Sequence, residues 1–218
     1  MATKLAFARL LVGLALWIVA TQGSSESIAA SEPETYQKLT QVLPGGCYHT
    51  GQFDQTVVLS EIPESINSSG TFIYSCSKGL VWSTELPTRF SMLYLSNDRP
   101  VMIDDKGKEQ PIARSVQKEI GKLLNNLIGG NLEYLKNNFS ISKTSSTYSL
   151  TPKKNRLRKY ILYIDISAIS DSTKIILAQP KQKYEITIYN TEEFEDPFLI
   201  QCEDRYSALQ DACERLLR

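Results

Sequence analysis

The fold is decided by residues 51–87, which read GQFDQTVVLSEIPESINSSGTFIYSCSKGLVWSTELP. Short β-branched and aromatic runs alternate here with segments rich in Asn, Ser, Gly and Pro, a pattern typical of antiparallel strands joined by tight turns. We place one of these turns at Asn67, Ser68, Ser69 and Gly70. No cluster of catalytic residue types lies in the stretch, so any function that it carries depends on an apolar surface.

The same alternation continues on both sides of this stretch. A strand over residues 49–59 has Gly51, Phe53 and Val57 on one face and polar residues on the other. The connections between strands are too short for parallel crossovers, so we predict an antiparallel meander. The whole chain offers about ten strands, a number that favours a strongly curved sheet or barrel. The predicted fold class is therefore mainly β, with some helix.

A change of period interrupts the predicted sheet after Pro111. Apolar residues then follow at helical spacing as far as the stop at Gly129 and Gly130, and Asn131 is placed to cap a second short helix. An amphipathic helix against the concave side of a curved sheet can leave an apolar cavity. Alternatively, side chains fill that space and form a closed core, and periodicity alone does not decide between the two.

The N-terminus has the pattern of a secretory signal peptide. Lys4 and Arg9 precede an apolar run over residues 10–20, and cleavage would follow Gly23, Ala29 or Ala30. The run is shorter than the ~20 residues of a membrane span, and an N-terminal anchor is the alternative. We expect a signal peptide over 1–30, one domain over 31–200 and a helical tail over 201–218, which either packs on the domain or stays solvated.

The four cysteines permit disulfides in an exported protein, and three pairings are open for Cys47, Cys76, Cys202 and Cys213. Cys202 and Cys213 flank a predicted helix, whose ends would lie ~16 Å apart. These two can pair only if Cys202 lies on a turn that folds back. Free thiols without a role are the alternative. With one histidine and no CxxC spacing, we expect neither a metal nor another cofactor.

Charge and motifs argue against several function classes. The 24 basic and 24 acidic residues balance, so no overall field favours nucleic acid. The sequence has no GxSxG, HExxH, P-loop or GxGxxG motif, and His49 is the only candidate general base, so we do not expect an enzyme. The basic segment 153–159 is interpreted as a soluble hairpin tip, with lipid headgroups or an acidic partner as the alternative contact.

Five short motifs follow one another along the chain: GQFDQ from Gly51, SSGTF from Ser68, KGLVW from Lys78, ELP from Glu85 and SLTPK from Ser149. Taken in this order, they resemble the LolA family of periplasmic outer-membrane lipoprotein carriers, and especially its LolA-like branch. Residues 120–135 are similar to the lid helices of the family, and residues 184–198 are similar to its closing strand and loop. The resemblance covers about residues 33–200.

This resemblance implies an unclosed β-barrel with an α-helical lid, whose cavity shields the acyl chains of a lipoprotein or another envelope lipid. It also implies a non-catalytic carrier in the periplasm that meets an inner-membrane transporter and an outer-membrane receptor. We expect a monomer. The predicted lipid-binding residues are Phe53, Phe72, Tyr74, Leu80, Trp82, Phe90, Met92, Ile120, Leu123, Leu127, Ile128 and Ile164.

One position departs from the classical carriers. They have Arg-Pro shortly before the lining strand, a basic group tied to lid closure and cargo transfer, whereas this chain has Cys76, Ser77 and Lys78. We therefore assign the partner or lid contact to Lys78, although Lys and Arg differ in donor geometry. The alternative function is a non-transporting envelope interaction or lipid-sensing module of the same fold.

Overall fold

The fold is known from a computed structural model, which describes residues 31–96, 99–112, 115–202 and 207–217. The predicted signal peptide over 1–30 lies outside the described residues. Within them, eleven strands form a single antiparallel sheet. The strands are β1 Tyr48–Leu59, β2 Ser65–Ser75, β3 Gly79–Leu86, β4 Phe90–Leu95, β5 Val101–Asp104, β6 Glu109–Pro111, β7 Phe139–Thr144, β8 Thr147–Pro152, β9 Tyr163–Ile169, β10 Ser172–Ala178 and β11 Gln182–Phe194.

The sheet has the order β6-β5-β4-β3-β2-β1-β11-β10-β9-β8-β7, so β6 and β7 are its two edges. The edges do not pair with each other, and the barrel stays open. Two helices, α2 Ser115–Ile128 and α3 Leu132–Asn138, connect one edge strand to the other. The predicted class is confirmed: a mainly β, unclosed antiparallel sheet with a helical part.

Three further α-helices, α1 Glu32–Thr40, α4 Asn155–Arg158 and α5 Ser207–Leu217, and a 3₁₀ helix, Pro197–Leu199, complete the described fold. On α1, the buried Tyr36 hydroxyl donates a hydrogen bond to the backbone carbonyl of Phe139 and so joins this helix to β7. The predicted cap of α3 is confirmed, because the Asn131 side chain accepts a hydrogen bond from the Tyr134 amide at 3.0 Å.

The sheet packs an apolar core on each of its two faces. The inner face, which meets α1, α2 and α3, has the larger core, with Phe53, Phe72 and Leu80 buried at its centre. The outer face of β2 to β5 has a second core under α5, formed by Ile73, Val81, Leu93, Ile103, Ile200, Leu209, Ala212, Cys213 and Leu216. Alternate residues of β2 and β3 are therefore buried on opposite faces.

The turn predicted at 67–70 is wrong, because these residues lie inside β2 and the chain reverses at residues 60–64. The Thr56 hydroxyl of β1 donates to the Asn67 side-chain oxygen at 2.9 Å, so the polar residues pair across strands. Gly70 marks a close approach, since a Cβ there would lie 1.9 Å from the carbonyl oxygen of Ser83 on β3.

The basic segment 153–159 connects β8 and β9, which pair antiparallel, so it is the hairpin connection that we expected. It also folds into the short helix α4, which buries Leu157 while Lys153, Lys154 and Lys159 stay exposed. The strand count is eleven in the described residues, compared with about ten from the sequence. The difference includes β6, which has three residues and is too short to show a period.

The cysteines form two disulfides, Cys47–Cys76 and Cys202–Cys213. Cys202 lies before α5, which begins at Ser207, so the two cysteines are not at opposite ends of one helix. Their Cα atoms are 5.7 Å apart, a distance that a disulfide can bridge. An ion pair between Arg215 on α5 and Glu109 on β6 adds a surface contact. The described part of the tail is thus packed on the domain.

A candidate lipid cavity beneath the lid helix

A cavity of about 620 Å³ lies between the inner face of the sheet and α2. Its volume falls within the range of small-molecule pockets, roughly 300–1,000 Å³. The sheet side is lined by Gln55, Trp82, Thr84, Phe90, Met92, Tyr94, Leu177, Tyr184 and Ile186, and the helix side by Ile120 and Leu124. Lys159 and Tyr160 also line the cavity, and they lie near the end of β10, because the Leu162 amide donates to the Ala178 carbonyl at 2.8 Å. The turn after β10 adds Gln179, Pro180 and Lys181, and Gln182 begins β11; these six residues form the β10–β11 end of the cavity.

Helix α2, called the lid helix below, can lie close to the sheet because it has a glycine where it crosses Tyr94. A Cβ at Gly121 would lie 2.0 Å from the ring of Tyr94, so no larger residue fits without moving the helix or the ring. On α2, Ile120 and Leu124 line the cavity, whereas Leu123, Leu127 and Ile128 are buried in the inner core. The lining residues and the core residues belong to the same apolar stripe of α2, which the helical spacing of the sequence predicted.

The indole of Trp82 forms a rigid part of the cavity wall. Its ring stacks on Phe53 with a centroid distance of 3.9 Å and an interplanar angle of 22°. Phe72 adds a second stacked contact at 6.0 Å. Aromatic pairs of this kind contribute roughly 0.5–1.5 kcal/mol beyond the area that they bury. Phe53 and Phe72 therefore support the wall from behind without lining the cavity.

The hydroxyls of Tyr94 and Tyr184 in the cavity wall are neutral. The Tyr94 hydroxyl donates to the sulfur of Met92 at 2.9 Å, which satisfies it within the wall. Burial raises the pKa of Tyr94 and the pKa of Tyr184, so both hydroxyls stay protonated at neutral pH. Of the described residues that line the cavity, none is acidic, and the two charged ones are Lys159 and Lys181.

The structure brings four of the twelve predicted lipid-binding residues to the cavity surface, namely Trp82, Phe90, Met92 and Ile120. The other eight are buried in the inner core around it: Phe53, Phe72, Tyr74, Leu80, Leu123, Leu127, Ile128 and Ile164. Tyr184 and Ile186 also line the cavity but were not predicted from the sequence. Their spacing of two residues on β11 indicates that they share a face of the strand. No sequence signal indicated Gln179, which lies at a turn.

The remaining candidate residues lie away from the cavity. Lys78 is exposed in the β2–β3 turn next to the Cys47–Cys76 disulfide, and its role in lid or partner contact stays a prediction. His49 is 1% exposed and packs against Phe72 and Tyr74, and its burial lowers its pKa to about 4. In the described residues, no group of three or more His, Cys, Asp or Glu side chains could hold a metal ion.

Comparisons with known proteins find structural matches at low sequence identity. No protein-family model matches the chain, and no curated protein matches it. LolA superfamily protein NE2245 from Nitrosomonas europaea is 9% identical, with a TM-score of 0.47, and the match covers 79% of this chain and 97% of that one. A DUF1329 family protein from Desulfovibrio piger is 8% identical, with a TM-score of 0.43 and coverages of 73% and 90%.

A third match is a domain from Vibrio parahaemolyticus described as a candidate for outer membrane lipoprotein sorting. It is 10% identical, with a TM-score of 0.38, and the match covers 73% of this chain and 90% of that one. Because all three TM-scores lie below 0.5, we base the functional proposal on the cavity and its lining residues.

One finding concerns membranes directly. Among the described residues, no helix combines the length and the apolar character that crossing a bilayer requires.

Proposed function

We propose that the protein is a periplasmic carrier that binds the acyl chains of a lipid or lipoprotein in the cavity beneath α2. The observation that carries this proposal is an apolar space of about 620 Å³ whose walls are mostly aromatic and aliphatic. Lys159 and Lys181 line the cavity and are exposed to solvent, so we place the entrance for an acyl chain beside them. Transfer between an inner-membrane transporter and an outer-membrane receptor is part of the proposal.

Such a cavity supplies enough free energy for useful affinity. Each buried CH₂ group contributes roughly 0.8 kcal/mol, so about ten methylenes contribute about 8 kcal/mol before the costs of association. Those costs are at least ~4 kcal/mol. Affinity then depends on the length of the buried chain and on its headgroup.

Two alternatives are less well supported. A module whose core is filled by side chains is disfavoured by the open volume next to Trp82 and Leu124. An enzyme with His49 as its base is disfavoured because this ring is buried under Phe72 and Tyr74, away from the residues that line the cavity. We propose a carrier without catalytic activity.

The binding proposal is tested by filling the cavity from the lid. Ile120→Trp adds volume at a lining position, so the variant is expected to bind a fluorescent fatty acid roughly tenfold more weakly than the wild type. Lys118→Ala changes an exposed position on the same helix and is the matched control. Equal affinity in all three proteins, or no binding by the wild type, would contradict the proposal.

Native mass spectrometry of protein released from the periplasm tests the carrier function itself. A carrier is expected to retain a noncovalent ligand whose mass matches a lipid or a lipidated protein. The Ile120→Trp variant should lose that adduct. Recovery of the protein only from the cytoplasm would contradict the proposed location.

A further inference from the structure

The turn between β10 and β11 places a buried polar side chain at the end of the cavity. Gln179 is 8% exposed and lines the cavity, yet its side-chain nitrogen has no hydrogen-bond partner among the described residues. Leaving a buried donor unsatisfied costs about 1–3 kcal/mol. A ligand atom that accepts a hydrogen bond would remove this cost.

In the structure, the neighbouring Gln182 contacts the oxygen end of the Gln179 amide. The Gln182 side-chain nitrogen donates to the Gln179 side-chain oxygen at 2.6 Å and to the Tyr184 hydroxyl at 2.8 Å. The Gln179 backbone amide also donates to the Gln182 carbonyl at 2.9 Å, which closes the turn. The oxygen of Gln179 is thus occupied, and its two N–H bonds are left for a ligand.

Tyr184 adds a second donor at the same place. Its hydroxyl oxygen accepts from Gln182, and its own hydrogen is retained because burial raises the pKa of the phenol. Tyr184 lines the cavity beside Gln179 and Gln182. The two donors therefore belong to one hydrogen-bonded group at the β10–β11 end of a cavity whose walls are mostly apolar.

The charged residues at this end, Lys159 and Lys181, are both cations and would also attract an anion. Lys181 contacts Glu61 at 3.7 Å, but the two side chains are 84% and 80% exposed, so this pair contributes little. Lys159 forms no ion pair within the described part of the chain. No described lining residue is acidic, and the carboxylate of Glu61, which pairs with Lys181, does not line the cavity.

From these contacts we infer that the β10–β11 end of the cavity is a headgroup site for an anionic amphiphile. Gln179 donates hydrogen bonds to a carboxylate or phosphate, Lys159 and Lys181 neutralise its charge, and the acyl chain extends under α2. Charge-assisted hydrogen bonds are about twice as strong as neutral ones, so the site selects anionic over neutral lipids. This inference rests on the proposed function and names its cargo class.

The test compares amphiphiles that share one chain and differ in the headgroup. Dodecanoic acid, dodecyl phosphate, dodecanol and dodecyltrimethylammonium are titrated by calorimetry at about pH 8, where the carboxylic acid is ionised. We expect at least one of the two anions to bind roughly tenfold or more tightly than dodecanol, and the cation to bind most weakly. The stronger anion identifies the source as a carboxylate or a phosphate lipid.

Substitutions of Gln179, Lys159 and Lys181 test whether these residues cause the preference for anions. Gln179→Glu keeps the acceptor for Gln182 but replaces the free donors with a carboxylate oxygen, so anion binding should fall roughly tenfold while dodecanol binding stays unchanged. If that variant does not fold, Gln179→Met removes the donors at similar size. Lys159→Gln and Lys181→Gln should weaken the anions only, and Lys108→Gln, an exposed lysine in the β5–β6 turn, is the matched control.

The outcomes separate this inference from the function on which it rests. Equal affinity for dodecanol and both anions, with no effect of Gln179→Glu, would overturn the headgroup site and leave acyl-chain binding intact. Absence of binding for all four amphiphiles would overturn both. A preference for anions that persists in Gln179→Glu and in both lysine variants would also overturn the site.

Discussion

His49 is a titratable residue buried against the inner core. It lies on β1 with Phe72 at a ring distance of 5.7 Å and Tyr74 at 4.8 Å, and burial is the main reason that its pKa falls to about 4. An unfolded chain binds a proton at this side chain below about pH 6.5, whereas the folded protein does not until about pH 4. Folding therefore opposes protonation across that window.

This difference predicts that stability falls as the pH is lowered through the window. Because the folded pKa lies below the unfolded pKa, the free energy of unfolding should drop by roughly 2 kcal/mol between about pH 7.5 and pH 5. Urea unfolding of the wild type and of His49→Phe measures this loss. Carboxylates titrate in both proteins, so the difference between the two curves isolates His49, and parallel curves would contradict the assignment.

Among the elements, α5 has the clearest separable role. It covers the outer face of β2 to β5 with Leu209, Ala212 and Leu216, while the cavity lies on the opposite face. The Cys202–Cys213 disulfide and the contact between Arg215 and Glu109 connect it to the rest of the chain. Stability from α5 and ligand binding under α2 should therefore be independent.

Leu216→Ala tests this separation. Leu216 is fully buried, so truncation should lower the free energy of unfolding by roughly 2–5 kcal/mol. Fatty-acid affinity should stay within about twofold of the wild type, because the two sites share no side chain. Asp211→Ala, at an exposed position of the same helix, is the control for stability. A large loss of affinity at unchanged stability would show that the outer core controls the cavity.

Helices α2 and α3 and strand β2 show how much of the fold could be predicted from the sequence. Helix α2 and the Asn131 cap of α3 were predictable because period, cap and stop agree locally. The position of residues 67–70 inside β2 was not predictable. Gly70 is required there by β3, which lies next to it only in the folded sheet. The alternation of residue types predicted which side chains share a face of a strand, but not which of them reach the cavity. It could not distinguish Trp82, which lines the cavity, from Leu80, which is buried in the core.

At the scale of the molecule, the open barrel and its cavity have one topological cause. The sheet ends at β6 and β7 without pairing them, and α2 and α3 connect these edges along the chain. Gly121 lets the lid approach Tyr94 at one point, while Ile120 and Leu124 remain next to the cavity. A ligand there contacts both the sheet and the lid, so it should stabilise the whole fold.

Saturation with ligand should therefore raise the thermal midpoint. At a free concentration about 100 times the Kd, a ligand that binds only the folded state adds about 2.7 kcal/mol, which corresponds to roughly 5–10 °C for a domain of this size. Calorimetric scans with dodecanoic acid below its micellar concentration measure the shift. Ile120→Trp should keep a similar midpoint without ligand and lose most of the shift, because the added ring occupies the space of the chain. An equal shift in both proteins would show that the acid binds elsewhere on the molecule, and the cavity would then not be its site.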